Sequence, residues 1–85
     1  MKELRILGLN IFDRIKEAGK VQKILSRYGH CIKTRYGFHE VTEDTCSRVG
    51  FILLELAGKS EDWNKLEDAL KQIEGIELKR MNFVI

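Results

Sequence analysis

Val49-Gly50-Phe51-Ile52-Leu53-Leu54-Glu55-Leu56-Ala57 is the most apolar stretch of this 85-residue chain. Side chains along a strand point alternately to the two faces of a sheet, so a strand with one wet face alternates apolar with polar. Here both parities are apolar, with Val49, Phe51 and Leu53 on one and Ile52, Leu54 and Leu56 on the other. The stretch reads as a central strand that leaves neither face to water. Leu4, Ile6, Leu7, Leu9 and Ile11 repeat the feature near the start of the chain. Two double-sided strands ask for a sheet with both of them in the middle.

The remaining elements fill in around these two. Asp13-Arg14 leads into a helical pattern in which Ala18, Val21, Ile24, Leu25 and Tyr28 form one apolar stripe. Gly19 weakens that helix by about 1 kcal/mol relative to Ala, and Gly29 stands where a left-handed residue commonly ends one. His30 to Phe38 alternates: Ile32, Thr34, Tyr36 and Phe38 fall on one side, Lys33 and Arg35 on the other, as in an edge strand. His39 to Ser47 is polar and reads as a hairpin loop. Gly58-Lys59 turns the chain, and Ser60 is placed to cap a second helix with Glu61 and Asp62 in its first turn. Trp63, Leu66, Ala69, Leu70 and Ile73 mark its buried stripe, Gly75 ends it, and Ile76 to Ile85 supplies a last strand and tail.

The order is β-α-β-β-α-β. Two βαβ units with right-handed crossovers give an α+β, ferredoxin-like βαββαβ sandwich, a four-stranded antiparallel sheet with two helices on one face. That arrangement places the first and third strands in the centre, where the double-sided pattern also puts them. Residues 1–85 are expected to form a single domain, since domains typically run to about 100–150 residues.

Composition excludes several classes. The chain is 44% hydrophobic with a net charge of only +2, which is too apolar and too nearly neutral for a disordered segment. Its longest uncharged apolar run, Phe51 to Leu54, is far short of the roughly 20 residues that span a bilayer. Met1-Lys2-Glu3 leads into a strand pattern rather than a leader peptide. Cys31 and Cys46, the only cysteines, make no CxxC and no disulfide framework. A cytoplasmic protein with both thiols reduced and no membrane contact is expected.

Two helices cover one face of the sheet only. Either Leu4 and Ile6, or Leu7, Leu9 and Ile11, must point to the other face, joined there by one parity of the third strand. Such a patch exceeds the few hundred Å² that monomers usually expose. A homo-oligomer, dimer or tetramer, is therefore expected, built most simply through a two-fold contact of this face. The competing arrangement has the tail Met81 to Ile85 folding back over it.

The run from Asp13-Arg14 through Lys20-Val21, Leu25, Gly29 and Ile32 resembles the ACT-domain signature, in which an Asp-Arg pair opens the first helix. Ile15-Lys16 stand where that family carries Pro-Gly. That glycine lets the backbone approach an amino-acid effector, so the resemblance carries the fold and not this contact. Nearly the whole chain also resembles a small family described as regulators of the iron-only hydrogenase system. The carrying residues are Asp13-Arg14, Ile24-Leu25-Ser26-Arg27-Tyr28-Gly29, Arg35-Tyr36-Gly37, the third strand, and Leu66, Leu70 and Ile73-Glu74-Gly75-Ile76. The resemblance implies a regulatory or accessory role and no catalysis.

Chemistry-bearing residues are few. Asn10, Asp13 and Arg14 sit at the first strand-to-helix junction, where ACT domains bind effectors, and Arg14 suits a carboxylate. They are the candidate small-molecule site, against the reading of Asp13 as a helix cap. His39 and Cys46 flank the hairpin loop and are the weak metal candidates. Nickel-responsive repressors, whose ACT-like domain ligates metal with His and Cys across subunits, supply the precedent. Two soft ligands fall short of a closed site, and no metal or cofactor is expected. Cys31 reads as a small buried hydrophobe. Lys16, Lys20, Lys23 and Arg27 share one helical face, but with no nucleic-acid motif a direct nucleic-acid contact is not expected. Neither a phosphate loop nor HExxH occurs, and a non-enzyme is expected. Two other readings are weighed: a nickel- or zinc-responsive module using His39 and Cys46, and a purely structural interaction domain.

Overall fold

The structure is a computed structural model that describes residues 2–38 and 48–85. It contains β1 (Glu3–Ile11), α1 (Arg14–Arg27), a short 3-10 turn (Gly29–Cys31), β2 (Ile32–Phe38), β3 (Gly50–Leu56), α2 (Ser60–Lys71) and β4 (Ile76–Val84). The sheet order is β2-β3-β1-β4, and every neighbouring pair is antiparallel. This is the ferredoxin-like fold, with the double-sided strands β1 and β3 in the centre.

Register decides which parity faces the helices. Leu7 pairs with Leu54 and Leu9 with Ile52, and all four are essentially buried. With Ile11 and Leu56 they form the floor on which Val21 and Leu25 of α1 and Trp63, Leu66 and Leu70 of α2 pack. Each such side chain contributes about 1.5–3 kcal/mol of transfer free energy. Trp63 also donates its ring N–H to Ala57 O at 2.8 Å, so the polar end of the largest core residue is satisfied.

Five local expectations are corrected. First, Ala18 is exposed and Glu17, 4% exposed, holds the inward-facing position. The stripe is thus Glu17, Val21 and Leu25, with Ile24 and Tyr28 half-buried. Second, β2 does not keep one side throughout. Ile32 pairs with Leu56 while Thr34 pairs with Glu55, so a bulge falls at Lys33. An extra residue inverts the parity of every residue after it in the strand. Ile32 consequently packs on the core, while Thr34, Tyr36 and Phe38 share the opposite face with Glu55, Leu53 and Phe51. Third, Gly29 is not left-handed; it opens the 3-10 turn, after the Tyr28 N–H has closed α1 on Ile24 O at 3.1 Å. Fourth, Lys59 occupies the cap position of α2 with no side-chain cap bond, and Ser60 is the first helical residue. Fifth, the chain end does not fold back. β4 runs to Val84 along β1, and Ile85 exchanges two backbone hydrogen bonds with Lys2. The loop expected over His39 to Ser47 lies outside the described residues.

Gly75, after α2, has φ +82. That left-handed backbone favours glycine and turns the chain so that Gly75 O accepts the Phe12 N–H at 2.9 Å. The same turn packs against Glu17, whose Cγ would lie 3.6 Å from a β-carbon at Gly75.

Candidate functional site: the open face of the sheet

The pleat sends Leu4, Ile6, Gly8 and Asn10 of β1 away from the helices. Their cross-strand partners go with them: Phe83, Met81, Lys79 and Glu77 on β4, and Glu55, Leu53 and Phe51 opposite Ile6, Gly8 and Asn10 on β3. β2 adds Thr34, Tyr36 and Phe38. Tyr36 is 60% exposed, Met81 52%, Phe83 49%, Phe38 44% and Leu53 43%. These are large apolar side chains on a contiguous surface, so the patch is on the order of 500–700 Å². The two open arrangements in the sequence thus resolve to Leu4 and Ile6 from β1, with Phe51 and Leu53 from β3.

The face is divided into corners. Tyr36, Phe38 and Phe51 form an aromatic cluster, with ring centroids 5.5 Å apart for Tyr36–Phe38 and 5.3 Å for the stacked Phe38–Phe51 pair. Leu53 adjoins it through its pairing with Tyr36. Diagonally opposite, Leu4, Ile6, Met81 and Phe83 make an aliphatic corner. The other two corners are polar. In one, Glu55 accepts from Thr34 Oγ1 at 3.0 Å and pairs with Lys33 Nζ at 3.7 Å. In the other, Asn10 Nδ2 reaches Glu77 Oε1 at 3.5 Å while Asn10 Oδ1 is buried with no hydrogen-bond partner among the described residues. Beside this corner lies a hollow of about 230 Å³ bordered by Gly8, Asn10, Phe38 and Phe51.

The three junction residues do not converge. Asp13 is the cap of α1: its side chain accepts the Lys16 N–H at 3.2 Å and meets Arg48 Nη1 at 3.3 Å. Arg14 lies behind the sheet, its stem over Gly50, where a β-carbon would come within 3.3 Å of it. With Arg35 and Gln22 it borders a separate hollow of about 210 Å³ between α1 and β2. Asn10 belongs to the open face. Arg35 donates to Gln22 Oε1 at 2.9 Å.

Sequence reasoning passed over a buried ionic network. Arg5 and Glu67, 6% and 4% exposed, meet at 2.7 Å between β1 and α2. Arg5 also donates to Asn64 Oδ1 at 2.9 Å and Asn82 Oδ1 at 3.0 Å, and lies 5.2 Å from the centre of the Trp63 ring. Arg80 Nε reaches the other Glu67 oxygen at 3.4 Å. Both Glu67 oxygens and the Nε and Nη1 of Arg5 are engaged, which is how a buried charge becomes tolerable. The network ties β1, α2 and β4 together behind the open face.

No group of three or more His, Cys, Asp or Glu is placed to hold a metal among the described residues; His39 and Cys46 lie outside them. His30 Nε2 is 3.5 Å from Asp62. Cys31, 1% exposed, donates to Tyr28 O at 3.2 Å. Burial, with a smaller contribution from the nearby Asp62 carboxylate, pushes its thiol up from the ordinary value of 9.0. It is a core residue rather than a nucleophile. Lys16, Lys20, Lys23 and Arg27 are all exposed, and Lys16 and Lys20 flank the buried Glu17 at 4.0 and 3.5 Å. No helix among the described residues is long and apolar enough to cross a membrane.

Topology and register define an α+β domain of the ferredoxin-like, ACT-like class. An uncharacterized protein of Thermotoga maritima is similar over 98% of this chain and 100% of its own, at 25% identity and a TM-score of 0.80. The ACT domain of a GTP pyrophosphokinase of Chlorobium tepidum matches over 92% and 96%, at 15% identity and a TM-score of 0.64. A nitrogen regulatory PII-like protein of Thiomonas intermedia, bound to ADP, AMP and acetate, matches over 98% and 90%, at 14% identity and a TM-score of 0.58. No protein-family model matches the chain, and no curated protein does.

Proposed function

We propose that this chain is a non-catalytic regulatory module of the cytoplasm that self-associates through the open face and senses a small-molecule effector. The resemblance to regulators of the iron-only hydrogenase system supports such a role. One observation carries the reading: the sheet presents a large apolar face that neither its helices nor its own last strand covers. Water is a poor neighbour for that surface, and a standard interface of about 800 Å² per partner is the size of one such sheet face. The ligand-sensing part is supported by the kind of protein that shares the fold, among them a PII-like regulator with bound nucleotides.

Sedimentation equilibrium and native mass spectrometry test the assembly. A 9.9 kDa chain should run as a dimer or larger at low micromolar concentration. Leu53→Lys and Met81→Lys, which place charge in the middle of the patch, should each shift it to monomer while leaving far-ultraviolet circular dichroism unchanged. A wild-type monomer under those conditions overturns the reading. Thermal-shift measurements with amino acids and nucleotides test the sensing. A ligand present at about a hundredfold its Kd adds roughly 2.7 kcal/mol, which no screen would miss. An assembled protein that no millimolar ligand stabilises would instead be a purely structural interaction domain.

A further inference from the structure

The corners of the open face are arranged so that only one two-fold stacking suits them. Cross-strand rows give the layout: Phe38, Phe51, Asn10 and Glu77 lie in one row, Tyr36, Leu53, Gly8 and Lys79 in the next, then Thr34, Glu55, Ile6 and Met81. Leu4 and Phe83 complete the layout as the last row. Apolar side chains therefore run as a diagonal band from the β2 end of the first row to the β4 end of the last. The polar corners lie on either side of it, Lys33 and Glu55 on one, Glu77 and Lys79 on the other.

When two copies meet face to face, the axis lies in the interface and reflects each face onto its partner. An axis along the strands, or straight across them, lays the aromatic corner on a charged one. An axis perpendicular to the band in the plane matches apolar to apolar. It also sets Glu55 against Glu55 and Lys79 against Lys79, and like charges juxtaposed across an interface are costly. An axis along the band keeps apolar on apolar and brings unlike corners together. We infer that the partner on the open face is a second copy of this chain, stacked with its strands steeply crossed and each copy's Glu55 beside the other copy's Lys79.

This rests on the self-association proposed above and adds its geometry, which belongs to the orthogonal class of sheet packing rather than the aligned one. Two details fit. Lys79 has no ion-pair partner among the described residues, so its charge is available to another molecule. Asn10 Oδ1, buried with no donor among the described residues, lies in the corner that receives the other copy's Lys33, whose ammonium can donate.

The experiment uses the full chain with Glu55→Lys and Lys79→Glu made separately, and sedimentation and native mass spectrometry as readouts. Each variant alone turns both symmetry-related pairs repulsive, and its self-association should weaken about tenfold or more. Mixed in equal amounts, with one isotope-labelled, they should form mixed dimers of near wild-type strength, because both contacts are again unlike. That rescue also shows that both variants fold. If a reversal unfolds the chain, Glu55→Gln and Lys79→Gln replace it, each weakening association about threefold and flattening its salt dependence. Assembly that ignores all of these changes overturns the crossed stacking while self-association stands. So does a Glu55→Lys chain that pairs better with wild type than with Lys79→Glu. A monomeric wild type overturns both.

Discussion

Truncating Glu67 to alanine should be among the most damaging single changes in the molecule. Its carboxylate is buried, 2.7 Å from an equally buried Arg5 guanidinium, with side chains 6% and 7% exposed. Removing one member of a buried pair costs about 3–5 kcal/mol, because the other is left as an uncompensated charge. Arg5 keeps Asn64, Asn82 and the face of Trp63, so the lower end of that range, about 3 kcal/mol, applies. A domain of this size has roughly 4–13 kcal/mol in all. The loss should lower Tm by about 12–24 °C. Urea titrations followed by Trp63 fluorescence at fixed protein concentration measure it directly. Arg80→Ala is the control: its side chain is 47% exposed, and its removal should stay within about 1 kcal/mol. The paired change Arg5→Met with Glu67→Leu should restore most of the loss, since a buried pair replaced by apolar groups of similar volume is often neutral or better. A Glu67→Ala chain that loses less than about 1 kcal/mol would refute the account of the network as a load shared by three elements.

Gly75→Ala forces a side chain into a left-handed backbone and toward Glu17; equilibrium unfolding should show a loss of about 1–2 kcal/mol. Asp13→Ala removes the acceptor of the Lys16 N–H and the partner of Arg48, a cost of about 1 kcal/mol that Asp13→Asn should mostly recover. Cys31 should react with a soluble disulfide reagent only as fast as the fold opens, and Cys31→Ala should leave assembly intact. Because the folded thiol binds its proton more tightly than the free one, stability should be insensitive to this group below the ordinary value of 9.0. It should then fall as pH rises from there through the higher folded value, a fall that the alanine variant lacks.

The fold was legible because two strands carried apolar residues on both parities, and only a central position explains that. Parity itself was not legible: Leu4 and Ile6 are as apolar as Leu7 and Leu9, and cross-strand register decides between them. Once Leu7, Leu9 and Ile11 are known to face the helices, Arg5 must join them by alternation. Glu67 likewise sits within the Trp63–Leu66–Leu70 stripe. Both were passed over because a charged residue reads by default as solvated. The same default placed Ala18 in the stripe of α1 where Glu17 belongs. Gly29 and Ser60 were misread by a residue or a conformation, as helix ends commonly are. At the junction, proximity in sequence suggested one site of Asn10, Asp13 and Arg14. The turn after β1 instead distributes them to the open face, the helix cap and the opposite side of the sheet.

The bulge at Lys33 gives a single added residue unusual leverage. Were the same residues paired with no bulge, Tyr36 and Phe38 would turn toward the helices and Arg35 and Gly37 would face outward. The outer face of the sheet would change while Ile32, anchored beside Cys31, stayed in place. Deleting Lys33 would instead remove the extra residue and leave Ile32 opposite Leu56 and Thr34 opposite Glu55 in a regular ladder, so the aromatic side chains would keep their outward aim. The bulge thus decides which side chains of the edge strand meet the outside, and it does so without disturbing the core beneath.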